Sequence, residues 1–117
     1  MTNITSYART LFGSGKPIVF NPGTIVAAEW YSLADYIIAF EDTYTAYSSA
    51  VINSIAPAQR AQSMFLIYGF SGTASAQQTL VDGIIAAGIG GLEVTTVAGY
   101  VGWSSLWQQF CSVMAIA

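Results

Sequence analysis

The sequence predicts a predominantly α-helical, elongated domain organised around one long central helix over residues 24–55, with three or four shorter helices and an extended N-terminal arm. Three observations carry that expectation. Apolar residues fall at Val26, Trp30, Leu33, Ile37, Phe40, Tyr44, Tyr47 and Val51, with spacings that alternate between 4 and 3, the a/d seam of a heptad. Glycines and prolines divide the rest of the chain into short amphipathic stretches of helical period. Charged residues make up 8% of the chain and histidine is absent, against about 25% charge in an ordinary soluble domain.

In chain order, residues 2–12 read as a short helix around Tyr7, Leu11 and Phe12, broken by Gly13-Ser14-Gly15. The segment Lys16 to Gly23 reads as an extended arm, because Pro17 and Pro22 each push the preceding residue out of helical geometry. Thr24 is a fair N-cap for the long helix, and Pro57 marks its end. About 30 residues of helix would be about 45 Å long. Opposite the seam lie Asp35, Asp42 and Ser49, while Tyr31, Ile38 and Ile52 form a second apolar stripe. Residues 58–70 suggest a further helix, ended by Gly69, Ser71 and Gly72. Ser75 and Gln78 have capping-box spacing before a helix through Leu80, Val81, Ile84 and Ile85, which Gly88, Gly90 and Gly91 stop. Residues 92–101 fit strand or helix equally, and Trp103 to Met114 form a C-terminal amphipathic helix. The expected organisation is one domain over 1–117, with the arm at 1–23, the long helix at 24–56 and the shorter helices at 57–117.

Composition excludes several functions. A formal charge of −3 with three cations offers no basic surface for phosphates, so no direct nucleic-acid binding is expected. Cys111 is the single cysteine, so no internal disulfide forms, and a small buried core residue is its simplest role. No signal peptide is visible at the N-terminus. Residues 94–117 reach the length of a bilayer span, but Ser104, Ser105, Gln108 and Gln109 sit at their centre, where hydrocarbon disfavours them.

Catalytic motifs fail on inspection. Gly13-Ser14-Gly15-Lys16 lacks the phosphate-loop glycine, replaced by Thr10, and the closing hydroxyl residue, replaced by Pro17. Gly69-Phe70-Ser71-Gly72 has no closing glycine, and no histidine exists to serve as base. Glu29, Asp35, Glu41 and Asp42 are the candidates for a carboxylate pair, but on one helix they read as a hydrated strip. A non-enzymatic chain without metal or cofactor is therefore expected.

The scarcity of charge leaves too little ionised surface to wet a lone molecule. The function expected is a self-assembling structural subunit of a virion, filament or ribbon, sited in a virion or in an assembly inside or outside the cell. Its partners would be further copies of the chain. Interface residues would be Phe20, Trp30, Tyr31, Ile38, Ile52, Trp103 and Trp107. The alternative is a membrane-associated chain, of envelope, holin-like or pore-forming type, with lipid as partner. The stretch from Ala58-Gln59 through Leu66-Ile67-Tyr68 to Ser71-Gly72-Thr73-Ala74 resembles the small Ala/Gln-rich subunits of R-bodies. That resemblance implies a bacterial ribbon subunit as a further alternative.

Overall fold

In the computed structural model, which describes residues 2–115, the chain forms a four-stranded, wholly parallel sheet with short helices packed on one face. Helix α1 (Thr2–Phe12) leads into β1 (Val19–Phe20), and a 3-10 turn (Ala28–Ser32) precedes β2 (Tyr36–Thr43). Helix α2 (Ser49–Asn53) and a second 3-10 turn (Pro57–Gln62) connect to β3 (Ser63–Tyr68). Helix α3 (Ala74–Ala86) crosses to β4 (Gly91–Val94), and α4 (Trp107–Met114) follows a third 3-10 turn (Ala98–Tyr100).

The architecture is α/β, and the expected elongated helical domain is not formed. The long helix over 24–55 is replaced by loop, 3-10 turn, strand and a helix of five residues. The helix expected over 58–70 is a 3-10 turn and a strand. The reason lies in the setting of the strands. Strands of a parallel sheet are commonly apolar on both faces, and here the open face too carries half-buried apolar residues, so Tyr36-Ile37-Ile38-Ala39-Phe40 and Met64-Phe65-Leu66-Ile67-Tyr68 lack the polar-apolar alternation that marks a strand. The true period of β3 is two: Ser63, Phe65 and Ile67 are buried and alternate with the half-buried Met64, Leu66 and Tyr68. Other readings hold. Residues 2–12 are helical, the arm is extended at Val19–Phe20, and α3 stops at the glycines after Ala87. Its N-cap is Thr73, two residues before the expected Ser75, with Oγ1 accepting from the Ala76 N–H at 3.2 Å. Of the ambiguous segment 92–101, residues 92–94 belong to strand β4, and a loop and the third 3-10 turn follow.

The strand order is β1-β2-β3-β4, each neighbour parallel. Such a sheet winds in one direction without reversing, as one wall of a parallel β/α barrel does. The main core lies between sheet and helices. Ala39, Phe65, Ile67 and Val94 meet Ile52 beside α3 residues Val81 and Ile84 and α4 residues Phe110 and Val113. Buried Gln77 ties α3 to α4 by donating to Gln109 Oε1 at 2.7 Å. A smaller cluster of Tyr31, Ala34 and Ile37 packs with Ile18, Phe20, Val26 and Trp30 beneath β1. Tyr31 and Ser63 hydroxyls share a hydrogen bond of 2.9 Å there.

Arg9 of α1 pairs with Asp35, whose Oδ2 also accepts from the Ile18 N–H at 2.6 Å. Those two donors hold the Asp35 carboxyl below its ordinary value, the backbone bond more than Arg9. Cys111, expected in the core, is exposed on α4. No helix among the described residues is long and apolar enough to cross a membrane.

Candidate functional site

Parallel pairing sets Glu41 of β2 beside Leu66 of β3, and Leu66 beside Glu93 of β4. Laterally paired residues of a parallel sheet point to the same side. Phe65 and Ile67, the neighbours of Leu66, face the helices, so Glu41, Leu66 and Glu93 form one row on the opposite, open face.

An irregularity in β2 makes this row. Ile38 pairs with Met64 but Phe40 pairs with Phe65, so Ala39 is an extra residue. Strict alternation from the buried Ile37 and Ala39 would send Glu41 into the helix-packed core. The bulge turns two successive residues, Ala39 and Phe40, toward that core and delivers Glu41 to the open face.

Glu41 is then held from two sides. The Asn21 Nδ2 donates to its Oε2 at 2.8 Å, and its own N–H donates to the Gly23 carbonyl at 3.1 Å. The Asn21-Pro22-Gly23 turn that follows β1 is thus the support of this carboxylate. On the other side stands Tyr100, whose phenol is pushed up to about 12 by burial first, then by the charge and hydrogen-bonding reach of Glu41, with Glu93 and Tyr68 adding to it. The Tyr68 and Tyr100 rings meet edge to face at 5.7 Å. Tyr100 also has a φ of 56°, the only non-glycine residue in the left-handed region among those described, an arrangement that costs energy and is kept where the surroundings enforce it.

The loop that carries Tyr100 is tied at its base. The Ser105 N–H donates to Thr96 Oγ1 at 2.9 Å, and the Thr96 N–H donates to Ser104 Oγ at 3.2 Å. Beyond it lies a cavity of about 330 Å³ lined by Glu93, Thr95, Tyr100, Gly102, Trp103, Ser104 and Trp107. Trp103 is 80% exposed and Trp107 37%, their rings 5.4 Å apart.

Of the four carboxylates singled out in the sequence, the structure brings only Glu41 to this site. Glu29 lies on an exposed turn, Asp35 pairs with Arg9, and Asp42 accepts from the Thr43 N–H at 2.6 Å on the surface. Glu93 was missed. Its signal was present, a lone acid in a β-branched run (Val94, Thr95, Thr96, Val97), but its pairing with Glu41 is a long-range fact of the sheet. The expected interface residues do not share a surface. Tyr31 and Ile52 are buried within the chain, at 5% and 6% exposure. Phe20 and Trp30 pack edge to face at 6.2 Å, and Ile38 is half-buried on the open sheet face. Trp103 and Trp107 stand together at one solvent-facing cavity, and Phe20 and Trp30 line another of about 340 Å³. Among the described residues no cluster of metal-ligating side chains occurs.

The crystal structure of Aspergillus clavatus Sph3 in complex with GalNAc matches this fold with a TM-score of 0.80 at 25% sequence identity. The match covers 98% of this chain and 52% of that one, so the chain spans about half the length of the solved protein. No curated protein is similar enough to match. The family model described as spherulation-specific family 4 matches residues 1–114. These two findings overturn the expected self-assembling subunit of a virion, filament or ribbon, the R-body-like alternative and the membrane-associated one. The physical reason is that the apolar runs thought to seal copies together are strands and helices sealing this chain's own sheet. Matched along nearly its whole length, the chain belongs to the spherulation-specific family 4.

Proposed function

We propose that this chain binds a hexosamine-containing glycan across the C-terminal ends of β2, β3 and β4, and cleaves its glycosidic bond with Glu41 and Glu93. The observation that carries the reading is the pair of carboxylates at one level of the open sheet face, flanking Leu66, with tyrosines above them. The GalNAc bound by Sph3, a protein of matching fold, supports a sugar as ligand. The C-terminal end of a parallel barrel wall is also where sites of this architecture are built.

Glycoside hydrolysis uses two carboxyl groups on either side of the scissile bond. One protonates the leaving oxygen, and the other activates water or attacks the anomeric carbon. Two strand spacings separate the Glu41 and Glu93 backbones, about 9.6 Å, which leaves room for a sugar bond between side chains that reach toward each other. Glu41, oriented by Asn21 and Tyr100, suits the base or nucleophile. Glu93, at the mouth of the aromatic cavity, suits the acid. The expectation of a non-enzymatic chain rested on carboxylates dispersed around one helix; on the strands one of them, Glu41, shares a row with Glu93.

The test is release of reducing ends from a GalNAc polymer, with binding to the polymer measured in parallel. Glu41→Gln and Glu93→Gln should each lower the rate at least about a hundredfold while binding persists. Binding without release by the unmodified chain would overturn the cleavage step and leave a sugar-binding protein. Absence of binding would overturn the whole reading.

A further inference from the structure

We propose that the cavity beside Glu93 is a second sugar subsite, which takes the residue next to the cleaved bond in a non-acidic glycan chain, with Trp103 as its stacking surface. The proposal rests on the glycan reading above and adds to it where the neighbouring sugar sits and that this sugar carries no acid group.

Four observations converge on it. The cavity shares Glu93 and Tyr100 with the carboxylate row, so a chain leaving the row along β4 enters it directly. Its volume of about 330 Å³ lies at the small end of the range for ligand pockets, about 300–1,000 Å³, and suits one pyranose ring with its substituents. Trp103 is 80% exposed, in a loop whose Tyr100 and Val101 are exposed as well. An indole left so bare at the lip of a cleft marks a contact surface. Its support is firm, because Trp103 leans on Trp107 at 5.4 Å and Trp107 on buried Phe110 at 5.9 Å.

The lining chemistry selects the occupant. A pyranose presents an apolar C–H face and a rim of hydroxyls, which match the indole face on one side and Glu93, Thr95 and Ser104 on the other. The loop geometry serves both subsites at once. Gly99, at a φ of 73°, and Tyr100, at 56°, turn the chain back so that Tyr100 faces Glu41 while Trp103 lies over the cavity. No cation lines the cavity and its one charge is Glu93. Arg9 is engaged with Asp35, and Arg60 donates to the Ile55 and Ala87 carbonyls. A uronic or sulfated sugar would meet like charge without a counter-ion.

Calorimetric titration with GalNAc and with GalNAc oligosaccharides of increasing length tests the subsite. The unmodified chain should bind the trisaccharide about tenfold more tightly than the monosaccharide, the gain of one aromatic contact. Trp103→Ala, which removes an exposed side chain and leaves the core alone, should erase that gain and leave monosaccharide affinity within about twofold. A variant that keeps the gain, or one that loses the monosaccharide as well, overturns the second subsite. An oligogalacturonate that binds as tightly as the GalNAc oligosaccharide overturns the non-acidic class. If the unmodified chain binds GalNAc without any gain with length, the subsite falls and the proposed function stands. If it binds none of these sugars, both fall.

Discussion

Gly90→Ala should destabilise the fold sharply, and the size of the effect follows from a single contact. A Cβ placed on Gly90 would lie 1.9 Å from the Ala61 carbonyl oxygen and 2.7 Å from the carbonyl carbon, where ordinary contact begins at 3.4 Å. Both obstructing atoms are backbone, so no side chain can rotate away. The segment entering β4 and the 3-10 turn before β3 must part by about 1.5 Å, an overpacking that costs about 1–3 kcal/mol. The same movement strains the Gly90 N–H, which donates to both the Arg60 and the Ser63 carbonyls at 3.0 Å, for about another 1 kcal/mol. A loss of about 3 kcal/mol lowers Tm by about 12 °C in a domain of this size. Thermal unfolding followed by circular dichroism reads it directly. Gly83→Ala provides the opposite sign, because nothing lies within 4 Å of its Cβ position in the middle of α3 and alanine favours helix there. It should gain about 0.5–1 kcal/mol. Gly90 immediately precedes β4, next to the Met64–Gly91 pair that sets the register of Leu66 with Glu93. A Gly90→Ala protein that melts within about 2 °C of its parent would refute both the close approach and the register built on it.

Asn21→Ala should leave the fold intact and lower the rate of sugar release about tenfold, because the Glu41 carboxylate loses its 2.8 Å amide donor; unchanged kinetics would remove Asn21 from the site. Asp35→Asn should destabilise the protein at neutral pH and not in strong acid. The folded-state pKa of Asp35 lies below its ordinary 3.8, so its contribution is present above that value and is lost as pH falls through the lower folded one. Melting curves of parent and variant should therefore converge as pH drops below about 3.8, and a constant difference down to pH 2 would contradict the Arg9 and Ile18 contacts as its source.

The parts of the fold legible in the sequence are those governed by local rules. Residues 2–12 and α3 have helical period, and Gly88, Gly90 and Gly91 stop α3 as glycines do. The strands were hidden because β2 and β3 are apolar on both faces. Trp30, Ile37, Phe40 and Tyr44 then fell on heptad spacing across what are a turn, a strand and a second turn. Proline and glycine signals flanked these runs, but a stretch of five apolar residues fits strand and buried helix alike. Half of the site was legible in the same sense. Glu41 could be named as an acid among apolar residues, whereas its partnership with Glu93 depends on the order β2-β3-β4, which no local pattern encodes.

The scarcity of charge takes on a different meaning in this fold. Of the six acidic residues, Glu41, Asp42 and Glu93 lie at the C-terminal ends of β2 and β4, while the cations Arg9 and Arg60 are committed to Asp35 and to backbone carbonyls away from that end. A sheet this apolar needs few ions for its own stability, so an acid within a strand is a costly choice unless the strand is built to turn it outward. Ala39 is the residue that does so. Without the extra residue, the carboxylate of Glu41 would point at Phe65 and the helices, where an unpaired charge is strongly disfavoured, and Phe40 would lie on the open face. The bulge keeps Phe40 packed on Phe65, ring centroids 5.7 Å apart, and in the same step turns the next residue outward. What it delivers is a carboxylate level with Glu93 on the open face, the position from which the proposed glycan would meet both.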